Sequence, residues 1–132
     1  MCGCRLPEGA ALLKVLLVED EEMLRESYYI ILTSAVYEVD VAANGKAALA
    51  KCKEKHYDLI LLDLMMPIMD GTTFLERLPP AYLARTKVII LSNLSSGAEL
   101  EKAIKLGAQG SLLKATLSPK ELLAAVRYEI AA

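Results

Sequence analysis

Five side chains of this 132-residue chain have types and positions that could do chemistry together: Glu19, Asp20, Asp63, Ser92 and Lys114. Each stands at or just beyond the end of a short apolar run. Val15-Leu16-Leu17-Val18 leads into Glu19-Asp20, Leu59-Ile60-Leu61-Leu62 into Asp63, Val88-Ile89-Ile90-Leu91 into Ser92, and Leu112-Leu113 into Lys114. Three carboxylates within a few ångströms would repel one another, and each would tend to hold a proton. A divalent cation removes that conflict, and hard oxygen donors without histidine or thiolate suit Mg²⁺. Lys114 adds a fixed positive charge for Asp63 or a bound phosphoryl oxygen, and Ser92 a hydroxyl donor to the same oxygens. Taken singly, an aspartate after a strand is more often a turn or cap residue, and a lysine at a sheet edge a solvated one. Their common placement at strand ends points to a Mg²⁺ and phosphate site.

The elements that must position these groups alternate. A strand over 14–19 is followed by a helix with the stripe Leu24, Tyr28, Ile31, Leu32 and Ala35, which Asp20 is placed to cap. A second strand, 37–42, is interrupted by Glu38 and Asp40 and so belongs near an edge; Asn44-Gly45 then opens a helix to about residue 55. The third strand, 57–63, reads as the most buried. After a loop over 64–70, a short helix carries Phe74, Leu75 and Leu78 until Pro79-Pro80 stops it. A fourth strand covers 87–92, and Ser96 with Glu99 forms a capping box for a helix that Gly107 ends. A fifth strand covers 110–114. Ser118-Pro119-Lys120-Glu121 caps a last helix bearing Leu122, Leu123, Val126 and Ile130.

Five strands separated by five helices require right-handed crossovers and a parallel sheet covered on both faces. The expected fold is α/β, a doubly wound five-stranded sheet of flavodoxin-like order 2-1-3-4-5. All strand carboxyl ends then share one edge, and the ligand crevice falls between strands one and three, where Glu19, Asp20 and Asp63 emerge.

Composition agrees and excludes other classes. Hydrophobic residues make up 55% of the chain, as strands buried on both faces demand. A net charge of -2 leaves no basic patch for nucleic acid. No apolar run approaches the roughly 18 residues of a membrane span, and the N-terminus lacks the apolar core of a secretory signal. Residues 1–11 are expected to be a disordered leader and 12–132 the domain. Cys2 and Cys4 alone make an incomplete metal site, and Cys52 reads as a small buried or half-buried helix residue, so a reducing cytoplasm is expected. No Gly-x-x-x-x-Gly-Lys loop follows strand one. His56 is expected in a surface turn opposite the acidic crevice, Tyr28 in the core and Tyr29 at its margin.

On these residues the chain resembles the receiver domains of two-component response regulators. Val15-Leu16-Leu17-Val18-Glu19-Asp20-Glu21 is similar to the family's first strand and acidic pair, and Asp63-Leu64-Met65-Met66-Pro67-Ile68-Met69-Asp70-Gly71 to its phosphoacceptor loop. Ser92 and Lys114 stand where the family has a Ser or Thr and a lysine. The resemblance implies that Asp63 accepts phosphate from a histidine kinase, a phosphotransfer protein or a small phosphodonor. It implies Mg²⁺ held by Asp20, Asp63 and the Met65 backbone carbonyl, with Glu19 acting through water. Lys114 and Ser92 would hold the phosphoryl oxygens. It further implies a switching face made of helix four, strand five and helix five, through which family members often dimerise, and a domain that promotes its own phosphorylation and dephosphorylation without turning over an external substrate.

Three positions depart from the family. Its switch aromatic is replaced by Ser111, its lysine is followed by Ala115 in place of a cis proline, and Asn93 stands where a small residue is common. A cis bond without proline costs about 3–4 kcal/mol, so a trans Lys114–Ala115 bond and a reshaped loop are expected. Two other functions compete. One is a phosphorylation-independent interaction module of the same fold. The other is a phosphatase of the haloacid-dehalogenase type, which needs a second acid two residues after its aspartate, where this chain has Met65.

Overall fold

Alternate residues of the inner strands face opposite layers of core, because successive side chains of a strand point to opposite faces. Leu16, Val18, Ile60, Leu62, Val88 and Ile90 pack on one side with Ala48, Cys52, Phe74, Leu75 and Ala103. Val15, Leu17, Leu59, Leu61, Ile89 and Leu91 pack on the other with Tyr28, Leu32, Leu122 and Val126. In this computed structural model residues 12–93 and 97–131 are described. The expected leader, with Cys2 and Cys4, and the Ser96 half of the expected capping box lie outside them.

The strands are β1 (Lys14–Val18), β2 (Glu38–Ala42), β3 (Leu59–Asp63), β4 (Lys87–Ser92) and β5 (Gly110–Leu113). They form one parallel sheet in the order β2-β1-β3-β4-β5, as expected. The helices are α1 (Glu22–Ser34), α2 (Gly45–Glu54), α3 (Gly71–Arg77), α4 (Pro80–Leu83), α5 (Ala98–Lys105) and α6 (Pro119–Ala131), and Lys114–Thr116 is a 3₁₀ turn. Every residue of β3 is buried. At roughly 1.5–3 kcal/mol for each large apolar side chain removed from water, β3 is the fixed anchor of the molecule, and Asp63 is its last residue.

Two local expectations are corrected. Asp20 does not cap α1: Glu21 takes the cap position with extended backbone and no side-chain cap bond, because the Asp20 carboxylate joins the acidic cluster. Pro79-Pro80 does end α3, but Pro80 also begins a further single-turn helix, since its fixed φ and missing N–H suit a first helical position. The helices expected fourth and fifth are therefore α5 and α6. Other caps form as read: Asn44 Oδ1 accepts from Ala47 N at 2.8 Å, and Ser118 and Glu121 bond each other reciprocally at 2.9 and 3.1 Å. Cys52 is buried, and His56 packs beside Tyr82 with ring centroids 5.4 Å apart. Among the described residues no helix is long and apolar enough to cross a membrane.

Candidate functional site

Pairing of β1 with β3, Val18 opposite Leu62, places the next residues of both strands side by side. Those residues are Glu19 and Asp63. Glu19 is held by its own backbone: its N–H donates to Ala42 O at 3.0 Å, and its Oε2 accepts from Glu21 N at 3.1 Å. Arg25 fixes the turn from α1, with Nη1 donating to Glu19 O at 2.9 Å and Asp20 O at 3.3 Å. Carboxylate oxygens of Glu19, Asp20 and Asp63 all lie within 4.8 Å of one another.

Lys114 enters from the first residue of the 3₁₀ turn after β5. Its Nζ stands 2.6 Å from Glu19 Oε1 and 3.0 Å from Asp63 Oδ2, with all three side chains nearly inaccessible. Its peptide bond to Ala115 is trans, so the expected reshaping is the 3₁₀ turn itself. Ser92, the last residue of β4, pairs with Leu113 in the register that also carries Lys114, and it lines with Asp63 a cavity of about 260 Å³. Leu64, Met65, Asn93 and Glu99 complete much of that wall. Met65 donates its backbone N–H to Asp63 Oδ1 at 3.2 Å. Ser111 is exposed within β5, three residues before Lys114. A roomier cavity of about 600 Å³ lies at the β2 edge, and neither Asp63 nor Lys114 borders it.

The electrostatics are unbalanced. Burial, and then the charge of Glu19, push the Asp63 carboxyl up to about 6; the Lys114 ammonium pulls the other way and does not win. Burial works against the charge on Lys114, but its bond with Glu19 and the charge of Asp63 outweigh that, so its pKa is raised. Two buried acids thus share one ammonium, with Asp20 beside them at the surface. Glu19 Oε1 is buried, and the Lys114 ammonium at 2.6 Å is its partner among the described residues. An acid cluster that keeps a surplus negative charge after that pairing fits a hard divalent cation. By contrast burial pushes the Cys52 thiol up, as for an inert core residue.

Every expected site residue is thus at or beside one edge except Ser111. Sequence reasoning missed Arg25, whose spacing from Glu19-Asp20 in the first turns of α1 was the available signal. It also missed the demand at Gly71, where a Cβ would lie 2.6 Å from Asp63 O and 2.9 Å from Leu64 Cα. Only glycine lets α3 start so close to the strand end.

A family model described as "Response regulator receiver domain" matches residues 15–127. The response regulator protein VraR of Staphylococcus aureus is 38% identical over 117 residues, which are 87% of this chain and 55% of that protein. The gliding motility regulatory protein of Myxococcus xanthus is 36% identical over 120 residues, 89% of this chain and 15% of that protein. The chain therefore spans from about a seventh to about half the length of these curated relatives. Among solved structures, the chemotaxis response regulator CheY4 of Vibrio cholerae superposes with a TM-score of 0.83 at 31% identity, covering 90% of this chain and 99% of that one.

Proposed function

This chain belongs to the response regulator receiver domain family, a family of signalling domains, and from that premise we propose that it is a phosphorylatable switch whose acceptor is Asp63. The observation that carries the reading is the ion pair of Lys114 with Asp63 at 3.0 Å inside a cluster of three convergent acids. The donor is a phosphohistidine of a histidine kinase or phosphotransfer protein, or a small acyl phosphate. An Asp63 carboxylate oxygen forms a bond to phosphorus as the donor's P–N or P–O bond breaks, and the leaving group takes the electron pair. Phosphoryl transfer asks mainly for positioning and charge neutralisation.

Each residue has a part in that task. Lys114 offsets the charge gathering on the phosphoryl oxygens, and the Ser92 hydroxyl donates to one of them. Asp20, Asp63 and the Met65 carbonyl would hold Mg²⁺, with Glu19 acting through water. When bound, the ion supplies positive charge to the phosphoryl oxygens and relieves the repulsion among the acids. With its pKa near 6, Asp63 is mostly ionised at neutral pH and able to attack. Phosphorylation adds about 1.5–2 negative charges at the end of β3, and Lys114, joined directly to β5, relays the change to the face formed by α5, β5 and α6. Ser111 in the aromatic position means this relay runs without the family's rotating ring.

Labelling by a small acyl phosphate tests the reading. It should require Mg²⁺ and vanish in Asp63→Asn; labelling that survives the substitution sinks the assignment. Ser111 and Ala115 favour the phosphate-independent interaction module as the second reading. Amide spectra unchanged by Mg²⁺ and beryllofluoride would select it.

A further inference from the structure

The loop over residues 64–70 leaves Asp63 and is gripped at both ends. At its base Gly71 N donates to Leu64 O at 2.9 Å. At its far end the N–H of Gly45, first residue of α2, donates to Met69 O, also at 2.9 Å. Between these grips Ile68 sits at φ +70, the left-handed region that a β-branched residue avoids. The residue is 78% exposed, so little packing offsets the strain. Some tertiary contact must hold the loop against relaxation.

The geometry points to Gly45 as a positioning residue for the divalent-cation site. A Cβ there would lie 2.7 Å from Met69 O, 2.9 Å from Met69 Cγ and 3.1 Å from Asp70 O. Two of those atoms are backbone oxygens of the loop, which cannot give way unless the loop moves. Gly45 alone therefore lets the α2 N-terminus close on Met69 and hold the strained loop, whose Met65 N–H bonds Asp63 Oδ1 at 3.2 Å, in place beside Asp63. Asn44 supports the grip by capping Ala47 N at 2.8 Å. The inference rests on the proposed Mg²⁺ site and adds the residue that sets its shape.

Calorimetric titration of Mg²⁺ alone into the full chain tests it, with urea unfolding in chelator run on each variant. Gly45→Ala should weaken Mg²⁺ by about tenfold, the scale of a lost supporting contact around metal ligands. Ile68→Gly removes the strain, so adding it to Gly45→Ala should recover about half of that loss on a logarithmic scale. A merely structural glycine would lower the urea midpoint without moving affinity. Should Gly45→Ala fail to fold, Asn44→Ala loosens the same turn more gently and should weaken Mg²⁺ by about threefold. Affinity in the folded variant within measurement error of wild type, or no recovery in the double variant, overturns the role of Gly45. Wild-type protein that takes up no Mg²⁺ overturns the proposed function instead.

Discussion

Replacing Asp63 by Asn should make the metal-free domain more stable, although it removes one partner of a buried ion pair. Glu19, Asp63 and Lys114 are all nearly inaccessible, and together they carry one uncompensated negative charge. The native Asp63 carboxyl is raised from 3.8 to about 6. At about 1.4 kcal/mol per pH unit, the ionised form costs the fold on the order of 3 kcal/mol, an upper bound because a neighbouring water or a small side-chain shift relieves part of it. Breaking a buried pair normally costs several kcal/mol because a charge is stranded. Here Lys114 keeps Glu19 at 2.6 Å, so nothing is stranded.

The sign follows from linkage. A carboxyl whose native pKa exceeds its unfolded one keeps its proton in the folded state between about pH 4 and 6, so stability falls as pH rises through that window. Above about pH 6 the full cost is present, and below about pH 4 both states are protonated. In urea unfolding with chelator at about pH 7.5, Asp63→Asn should therefore exceed wild type by about 1–3 kcal/mol, and the gap should close toward about pH 4. Excess Mg²⁺ should narrow the gap at neutral pH by stabilising wild type more. A variant no more stable than wild type at neutral pH without metal would refute the claim that the site stores electrostatic repulsion.

Two further outcomes follow from the same contacts. Lys114→Met leaves Glu19 and Asp63 buried without a counter-charge and should cost about 3–5 kcal/mol in chelator, partly restored by Mg²⁺; equal losses with and without the ion in urea unfolding would contradict it. Tyr82→Phe removes the hydroxyl that accepts from Tyr57 N at 3.0 Å and donates to Lys55 O at 2.9 Å, and thermal melts should show a loss of about 1–2 kcal/mol with phosphate labelling intact.

The apolar runs and their terminal acids determined most of this protein. Short continuous runs such as Leu59 to Leu62, rich in branched residues and bounded by turns, read as strands buried on both faces, and helices between them leave few topologies, so sheet, strand order and the shared edge for Glu19, Asp63, Ser92 and Lys114 were legible. Strong local chemistry was legible too, as in the Ser118–Glu121 box, because its partners are three residues apart. Tertiary structure alone decided what depends on distant backbone. It took Asp20 from the α1 cap into the acid cluster and left Lys114 shared between two acids. It also set Gly45 against Met69, 24 residues away in the chain. Periodicity reports which face a side chain takes, but ångström-scale contact between segments far apart in sequence is fixed only when the core closes and burial decides which charges must meet.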